Sequence, residues 1–231
     1  MTKLTVHRFA SRTALDAALE QRLAQAIAAR GASAIMLAGG ETPLPAYRAL
    51  ARRPLPHDER LQILFSDERY VPADSEASNY HRSRPLLDAL RLKPAAVLRV
   101  RTELALAAAA ADYERSIAAL LAGGVRLGLG LLGLGAEGHT ASLFAAADLT
   151  RAAGQLAIAV QRPDGMSAVS VTPQLLGQLA DPVFVVAGGA KRDAVRRLLA
   201  QDPGLTAWAA VQGCAAVELW LDPSADPGAT A

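Results

Sequence analysis

The chain has 231 residues, 52% of them hydrophobic and 20% charged, and its 24 Lys and Arg nearly balance its 22 Asp and Glu, for a net charge of +2. That balance excludes a broadly basic nucleic-acid-binding surface and an acidic disordered chain. A single cysteine excludes an internal disulfide framework and a cysteine-based zinc site. The longest apolar run, residues 127–136, is well short of the roughly 20 residues that a membrane span needs.

Strand-like and helix-like segments alternate along the chain. The first helix is predicted to begin at an N-cap on Ser11 and to stop before Gly31, with large apolar residues at i+4 spacing between them. The predicted strands cover residues 4–9, 34–38, 61–66, 96–100, 127–132, 155–160, 168–171, 183–187 and 216–221. The predicted helices cover residues 11–30, a segment from Pro43 onward, 79–90, 102–121 with Thr102 as cap, 139–144 and 191–200, and residues 67–78 are predicted to be a loop.

This alternation determines the predicted fold class. We expect an α/β fold with a doubly wound, mostly parallel sheet and helices on both faces, Rossmann-like, as a single domain over residues 1–231. Residues 222–231, rich in Pro, Gly and Ala, are predicted to form a flexible tail. In such folds ligands bind outside the carboxyl ends of the strands, so the loops there are the first places to search for function.

The first such loop, residues 39–43, joins a buried strand to a helix. Gly39 and Gly40 allow the backbone to come close to a bulky anion, and the helix N-terminus offers free N–H groups. Pro43 suits the first helical position, and Thr42 suits the cap, where its hydroxyl can also donate to a ligand. The same pattern also occurs in an ordinary βα turn with a good cap.

Asp-Glu-Arg occurs twice, at 58–60 and at 67–69. The first copy precedes its strand, so we expect it on the opposite edge of the sheet as solvated charge. The second follows its strand at the edge where ligands bind. There Asp67 could hold a sugar hydroxyl and Arg69 a phosphate, because the planar fork of Arg suits phosphate; the alternative is a surface salt bridge.

Two overlapping G-x-G-x-x-G matches lie between residues 128 and 138. The first falls inside a strand, and the second lacks the acidic residue about 20 positions later that a ribose contact requires, so a dinucleotide cofactor is not expected. His139 follows the glycine turn, two residues after Glu137. A neutral imidazole held by a carboxylate is suited to activating water near pH 7; the alternative is a structural or solvated histidine.

Lys191 is one of only three lysines in the chain and follows a strand and two glycines, at the predicted start of a helix. The helix dipole disfavours a cation there. An anionic ligand such as a phosphate would remove the conflict, and a solvated lysine tolerated at small cost is the alternative.

Taken together these loops resemble the 6-phosphogluconolactonase family over about residues 9–222. The matching blocks are Gly-Gly-Glu-Thr-Pro at 39–43, Asp-Glu-Arg at 67–69 with Val-Pro at 71–72 and Ser-Asn-Tyr at 78–80, and Gly-Leu-Gly at 133–135 leading to Gly-His-Thr-Ala-Ser-Leu-Phe at 138–144. The resemblance implies hydrolysis of 6-phosphogluconolactone to 6-phosphogluconate, in the oxidative pentose phosphate pathway, without metal or cofactor.

The resemblance also implies roles for individual residues. His139 is the expected general base, with Asp67 near the reacting centre and Glu137 as the carboxylate that orients the imidazole. The expected substrate and phosphate contacts are Gly39, Gly40, Thr42, Arg69, Asn79 and Lys191.

The chain departs from the family pattern at two positions that bear on these roles. Glu137 stands where the family usually has Asp, and Ala168 stands where it tends to have Arg. If that arginine binds phosphate, Arg162 and Arg192 are the candidates to compensate for it.

In the mechanism that follows, His139 takes a proton from water, the water attacks C1 of the lactone, and amides of the glycine loop stabilise the oxyanion. Two other functions fit the pattern: an amino-sugar phosphate isomerase or deaminase, and a non-catalytic sugar-phosphate-sensing domain. The start of the chain lacks the apolar stretch of a signal peptide. We expect a cytoplasmic monomer or weak homo-oligomer with a small-molecule sugar-phosphate lactone as its partner, and no nucleic acid or membrane.

Overall fold

The computed structural model describes residues 2–229 of the chain. Its strands are β1 (Lys3–Arg8), β2 (Ser33–Leu37), β3 (Gln62–Phe65), β4 (Asp67–Arg69), β5 (Arg126–Leu132), β6 (Ala157–Gln161), β7 (Ser167–Val171), β8 (Asp181–Val186) and β9 (Ala216–Leu221). Its α-helices are α1 (Arg12–Ala28), α2 (Leu44–Leu50), α3 (Asn79–Leu90), α4 (Leu106–Ala122), α5 (Ala146–Arg151), α6 (Pro173–Leu176), α7 (Arg192–Leu199) and α8 (Thr206–Val211).

Six strands form a parallel sheet in the order β1-β9-β8-β5-β2-β3. Side chains alternate across it, so that in β2 Ile35 and Leu37 join one core while Ala34 and Met36 join the other. Helices α1, α2 and α3 cover the first face, and α4, α7 and α8 contribute to the core on the second. The predicted α/β fold, doubly wound with helices on both faces, is therefore confirmed.

A second, antiparallel sheet has the order β4-β7-β6 and packs on the same side as α4. The sequence predicts β6 and β7 as strands without separating them from the parallel sheet. It predicts residues 67–78 as a loop, and this is wrong for Asp67–Arg69, which pair with β7. The two sheets meet at Ser66, whose N–H donates to the Leu37 carbonyl and whose own carbonyl accepts from the Val171 N–H.

Three other predicted elements differ from the structure. The strand at 96–100 is instead a 3-10 turn followed by one bridge between Val97 and Ile63. Helix α4 begins at Leu106, so Thr102 does not cap it. Residues 139–144 form no helix, because Ala141 has a φ of 49° and lies between the bridged residues Thr140 and Leu143.

The segment after β9 packs against the molecule over its described part. Ala225 is fully buried, and the Asp226 carboxylate accepts a hydrogen bond of 2.9 Å from Arg8 Nε. The prediction of a flexible tail beginning at residue 222 is therefore wrong at its start. Residues 230 and 231, the end of that predicted tail, lie outside the described residues.

Candidate active site

A cleft of about 410 Å³ opens at the carboxyl ends of β2, β3, β5 and β8, where their loops converge. Every site residue predicted from the sequence lines it except Glu137. Those residues are Gly39, Gly40, Thr42, Asp67, Arg69, Asn79, His139 and Lys191. The first Asp-Glu-Arg copy lies away from the cleft, where Asp58 pairs with Arg60. The rule that ligands bind at the carboxyl edge of a parallel sheet therefore located the cleft correctly.

The loop after β2 passes very close to helix α3. A Cβ added to Gly39 would lie 2.1 Å from Asn79 Oδ1, and Gly40 has a φ of +82°, so both positions favour glycine. Thr42 does not cap α2, contrary to the prediction, because Pro43 occupies the N-cap position. The Thr42 carbonyl instead accepts a 3.0 Å hydrogen bond from Arg12 Nη2. Arg12 also lines the cleft, from the first turn of the helix that follows β1, and sequence reasoning missed it because the segment after that strand carries no glycine turn or motif.

Asp67 is buried at the start of β4, with both carboxylate oxygens engaged. Ser66 Oγ donates to Oδ1 at 2.8 Å, and Ser142 Oγ donates to Oδ2 at 2.7 Å. No Lys or Arg within residues 2–229 forms an ion pair with it. Asp67 therefore keeps a hydroxyl-bonded carboxylate at the wall of the cleft, where its remaining lone pairs can accept from a ligand hydroxyl.

Glu68, which the sequence analysis did not single out, organises the neighbouring wall. Its buried carboxylate accepts from the N–H groups of Asn79 and Tyr80, at 2.7 and 2.8 Å, and from Ser78 Oγ at 3.1 Å. Burial and the nearby charge of Asp67 raise the pKa of Glu68, while these hydrogen bonds oppose the rise. The first turn of α3 is thereby fixed beside the cleft.

Asn79 and Arg69 are held together by that turn. Asn79 Nδ2 donates to the main-chain oxygen of Asp67 at 2.8 Å, and Asn79 Oδ1 accepts from Arg69 Nη1. The same Arg69 nitrogen donates to the Ala77 carbonyl at 3.2 Å. One terminal nitrogen of Arg69 is thus occupied by these two hydrogen bonds. The side chain lines the cleft.

His139 is held by Glu137 in the loop after β5. The imidazole Nδ1 lies 2.8 Å from Glu137 Oε1, and the histidine exposes only 20% of its side chain. Gly135 makes room for this pair, since a Cβ there would lie 2.0 Å from His139 Nδ1. The arrangement supplies a carboxylate at one ring nitrogen and leaves the other, Nε2, for the cleft.

The protonation states of this pair follow from its surroundings. Burial lowers the pKa of His139, and the Glu137 carboxylate opposes but does not cancel that effect. Burial raises the pKa of Glu137, but its own backbone hydrogen bond and the charges of His139 and Lys191 outweigh it, so the pKa lies below the ordinary value. Near pH 7 the pair is a carboxylate and a neutral imidazole. Because a carboxylate only accepts, Nδ1 carries the proton.

The amides of the glycine loop are already engaged. Gly135 N–H donates to the His139 carbonyl at 2.9 Å, and Gly138 N–H donates to the Gly135 carbonyl at 3.0 Å. The expectation that amides of this loop stabilise an oxyanion is therefore wrong for these two.

Of the two arginines considered as replacements for one at position 168, only Arg162 reaches the cleft. Ala168 is fully buried in β7, opposite Arg69 of β4. Arg162 leaves the neighbouring end of β6, lines the cleft and places its guanidinium 5.2 Å from the ring centre of Phe144. Arg192 instead donates from Nε to the Ser224 carbonyl at 2.8 Å.

Lys191 lines the cleft from the loop after β8, at the end of a 3-10 turn, and α7 begins one residue later than predicted. With it, the cleft carries four cationic side chains, those of Arg12, Arg69, Arg162 and Lys191, and two carboxylates, those of Glu41 and Asp67. Arg12 and Arg162 are paired with Asp16 and Asp164. Arg69 and Lys191 form no ion pair within residues 2–229, and these two cations suit an anionic ligand.

Two features are absent from residues 2–229. No three His, Cys, Asp or Glu side chains are grouped so that they could hold a metal ion. None of the helices in this part of the chain has the length and apolar character needed to cross a membrane.

Known proteins share both the sequence pattern and the fold. A family model described as glucosamine-6-phosphate isomerases/6-phosphogluconolactonase matches residues 8–220. The chain is 37% identical over 195 residues to a 6-phosphogluconolactonase of Synechocystis sp., covering 78% of this chain and 77% of that protein. It is 30% identical over 226 residues to a 6-phosphogluconolactonase of Mycobacterium leprae, covering 91% and 92% of the two chains.

The fold agrees with these relatives. The crystal structure of 6-phosphogluconolactonase from Thermotoga maritima superposes with a TM-score of 0.80 at 26% identity, over 96% of this chain and all of that one. The chain therefore belongs to the family of glucosamine-6-phosphate isomerases and 6-phosphogluconolactonases.

Proposed function

We propose that the protein is a 6-phosphogluconolactonase, which hydrolyses 6-phosphogluconolactone to 6-phosphogluconate in the oxidative pentose phosphate pathway. The observation that carries this proposal is the Glu137–His139 pair, 2.8 Å apart, at a cleft with an excess of cationic side chains. Lactone hydrolysis needs a base for water, and a phosphorylated substrate needs cations. The named relatives in the family have this activity in their names.

His139 is the proposed general base. With its Nδ1 proton directed at Glu137, its unprotonated Nε2 can accept a proton from water as the water attacks C1 of the lactone. The imidazolium that forms is stabilised by the adjacent Glu137 carboxylate. It then returns the proton to the ring oxygen as the C1–O bond breaks, which restores the neutral base. General-base assistance of this kind is worth about 10²–10⁴-fold in rate.

The developing oxyanion needs donors other than the amides of Gly135 and Gly138. The Gly39–Gly40 backbone lines the cleft next to Asn79 and has no side chain that would obstruct a close approach. We assign it to the substrate oxygens, since donated N–H groups there stabilise negative charge without reorganisation. Thr42, in the same loop, is assigned a contact with a sugar hydroxyl.

The phosphate is assigned to Lys191 and Arg69. The Lys191 ammonium group has no hydrogen-bonded or ion-paired partner among residues 2–229, and Arg69 is fixed by Asn79 and Ala77. Asp67, which has no cationic partner, would repel a phosphate placed beside it and is therefore assigned to a hydroxyl of the lactone. Binding energy from the distant phosphate holds the lactone in register with His139.

A cytoplasmic enzyme acting as a monomer or weak homo-oligomer fits this proposal, because residues of one chain line the cleft. Light scattering across a range of protein concentrations measures the assembly state. Full activity at the lowest, monomeric concentration is the expected result.

The experiment that tests the proposal compares His139→Asn with wild type on 6-phosphogluconolactone at pH 7, with the spontaneous hydrolysis subtracted. We expect kcat/KM to fall by about 10²–10⁴-fold, since the asparagine cannot take up the proton. The matched control is His81→Asn, because His81 pairs with the exposed Glu76 outside the cleft. Wild-type turnover in the His139 variant contradicts the proposed base, and ammonia release from glucosamine 6-phosphate by wild type would identify a deaminase instead.

A further inference from the structure

The hairpin between β6 and β7 fixes one arginine at the edge of the cleft. Arg162 uses Nε and Nη2 to bind the carboxylate of Asp164, at 3.1 and 2.9 Å, and its main-chain N–H donates to the Met166 carbonyl at 2.8 Å. Asp164 is in turn anchored by the Met166 N–H at 3.1 Å. The Arg162 side chain is only 14% exposed although its partner is 44% exposed. The guanidinium is therefore positioned by its own hairpin.

Phe144 connects this arginine to His139. The ring centres of Phe144 and His139 are 4.2 Å apart with an interplanar angle of 34°, and the Arg162 guanidinium carbon lies 5.2 Å from the Phe144 ring centre. Arg162 Nη1 also approaches Ser142 Oγ at 3.4 Å, and that hydroxyl donates to Asp67. Arg162 thus contacts Phe144, which stacks on the imidazole, and Ser142, which donates to Asp67, without binding the imidazole itself.

The charged groups around the imidazole come from four segments of the chain. Glu137 binds Nδ1 from the loop after β5, and Asp67 acts from β4. Arg162 acts from the β6–β7 hairpin, while Lys191, from the loop after β8, acts on Glu137. Both carboxylates favour the protonated imidazole and Arg162 opposes it. Burial is the main cause that lowers the pKa of His139, and Arg162 adds a smaller effect in the same direction.

We propose that Arg162 is a positioning residue for the general base: through Phe144 it fixes the ring of His139, and its positive charge adds to burial in disfavouring an imidazolium there. The inference rests on the proposed function only in taking His139 as the base. Cation–π contact and ring stacking orient the imidazole. The guanidinium charge acts with burial against Asp67 and Glu137, both of which favour a proton on the base.

The direct test is an NMR titration of the His139 imidazole in Arg162→Met and Arg162→Lys, which needs no substrate. Methionine keeps an apolar stem over Phe144 but removes the charge, so the pKa of His139 is expected to rise. Lysine keeps the charge and is expected to return the pKa to the wild-type value. An unchanged pKa in Arg162→Met, or an equal rise in both variants, overturns the proposal.

The matched control is Arg84→Met. Arg84 also lies over an aromatic ring, 5.9 Å from the centre of Tyr80, and pairs with Asp88, but it does not line the cleft. Its loss is expected to leave the His139 titration unchanged. A shift equal to that of Arg162→Met would show a non-specific effect and would count against the proposal.

Kinetics distinguish base positioning from phosphate binding. Arg162→Met is expected to move the acid limb of kcat/KM to higher pH, and to lower the rate by a similar factor with 6-phosphogluconolactone and with the unphosphorylated gluconolactone. A loss confined to the phosphorylated lactone would assign Arg162 to the phosphate and overturn the proposal. Failure of wild type to hydrolyse either lactone would contradict the proposed function alone, since the NMR titration stands without turnover.

Discussion

Glu137 reaches back two residues to the imidazole of His139, and the geometry shows why the longer acidic side chain fits. Gly135 has no Cβ, and the space that a Cβ would occupy lies 2.0 Å from His139 Nδ1 and 2.8 Å from Glu137 Oε2. The loop thus brings the side chains of Glu137 and His139 together over a backbone position that has no side chain of its own. The sequence identified His139 and Glu137 by their position after a strand, but it could not show that Gly135 is the residue that accommodates them.

Glu137→Gln separates the charge of this carboxylate from its shape, since a glutamine oxygen can still accept the Nδ1 proton. The negative charge raises the pKa of His139, so without it burial acts unopposed and the pKa falls further. We expect the acid limb of kcat/KM to move to lower pH and the rate at neutral pH to fall roughly tenfold, because a weaker base is a poorer catalyst. A pH–rate profile measures both, and an acid limb displaced to higher pH would contradict this sign.

The first turn of helix α3 is hydrogen-bonded to a buried carboxylate, and this contact positions two residues of the cleft, Asn79 and Arg69. Glu68, in a strand of only three residues, accepts the first N–H groups of α3, and the cap residue Ser78 also donates to it. Hydrophobic periodicity predicts neither β4 nor this cap, because Asp-Glu-Arg has no alternation of apolar residues. The strand that pairs with β4, β7, also lies about 100 residues later in the chain. The long strands and helices of the parallel sheet carry strong periodic signals and were predicted.

Glu68→Gln is expected to destabilise the fold by about 2–4 kcal/mol, because the amide nitrogen that replaces one oxygen faces N–H donors and leaves buried groups unpaired. Chemical denaturation measures the change in free energy of unfolding. The control is Glu76→Gln, which alters a side chain that is 93% exposed and should change stability little. Equal stability of the two variants would show that α3 does not depend on the buried carboxylate.

At the scale of the whole molecule, the parallel sheet determines where the site forms. Its strands end at one edge, so residues from distant parts of the chain, such as Gly40, His139 and Lys191, line the same cleft. The alternation of strands and helices predicts a parallel sheet with its carboxyl ends at one edge, and this is why most of the residues that line the cleft were predictable in outline although the strand order was not. Arg12 obeys the same rule, because it follows β1, the strand at one edge of the parallel sheet, but no glycine or motif in the segment between them marks it in the sequence.

A cleft with more cations than carboxylates is expected to gain stability when it binds the anionic product. At a concentration of 6-phosphogluconate about 100 times its Kd, binding adds about 2.7 kcal/mol. For a chain of this size that raises the Tm by roughly 5–10 °C. Gluconate, which lacks the phosphate, is expected to give a much smaller rise at the same concentration, and added salt should reduce the phosphate-dependent part.

Lys191→Met tests whether Lys191 accounts for that difference. Lys191 is in the cleft whereas Lys93 is not, so Lys93→Met is the matched control. Removal of the phosphate contact should reduce the Tm rise with 6-phosphogluconate toward the value for gluconate, while the Lys93 variant keeps the full rise. A thermal-shift series with both ligands tests this assignment. If the Lys191 variant responds to 6-phosphogluconate as wild type does, the phosphate is bound by the arginines instead. If the variant also loses its response to gluconate, Lys191 contacts the sugar rather than the phosphate.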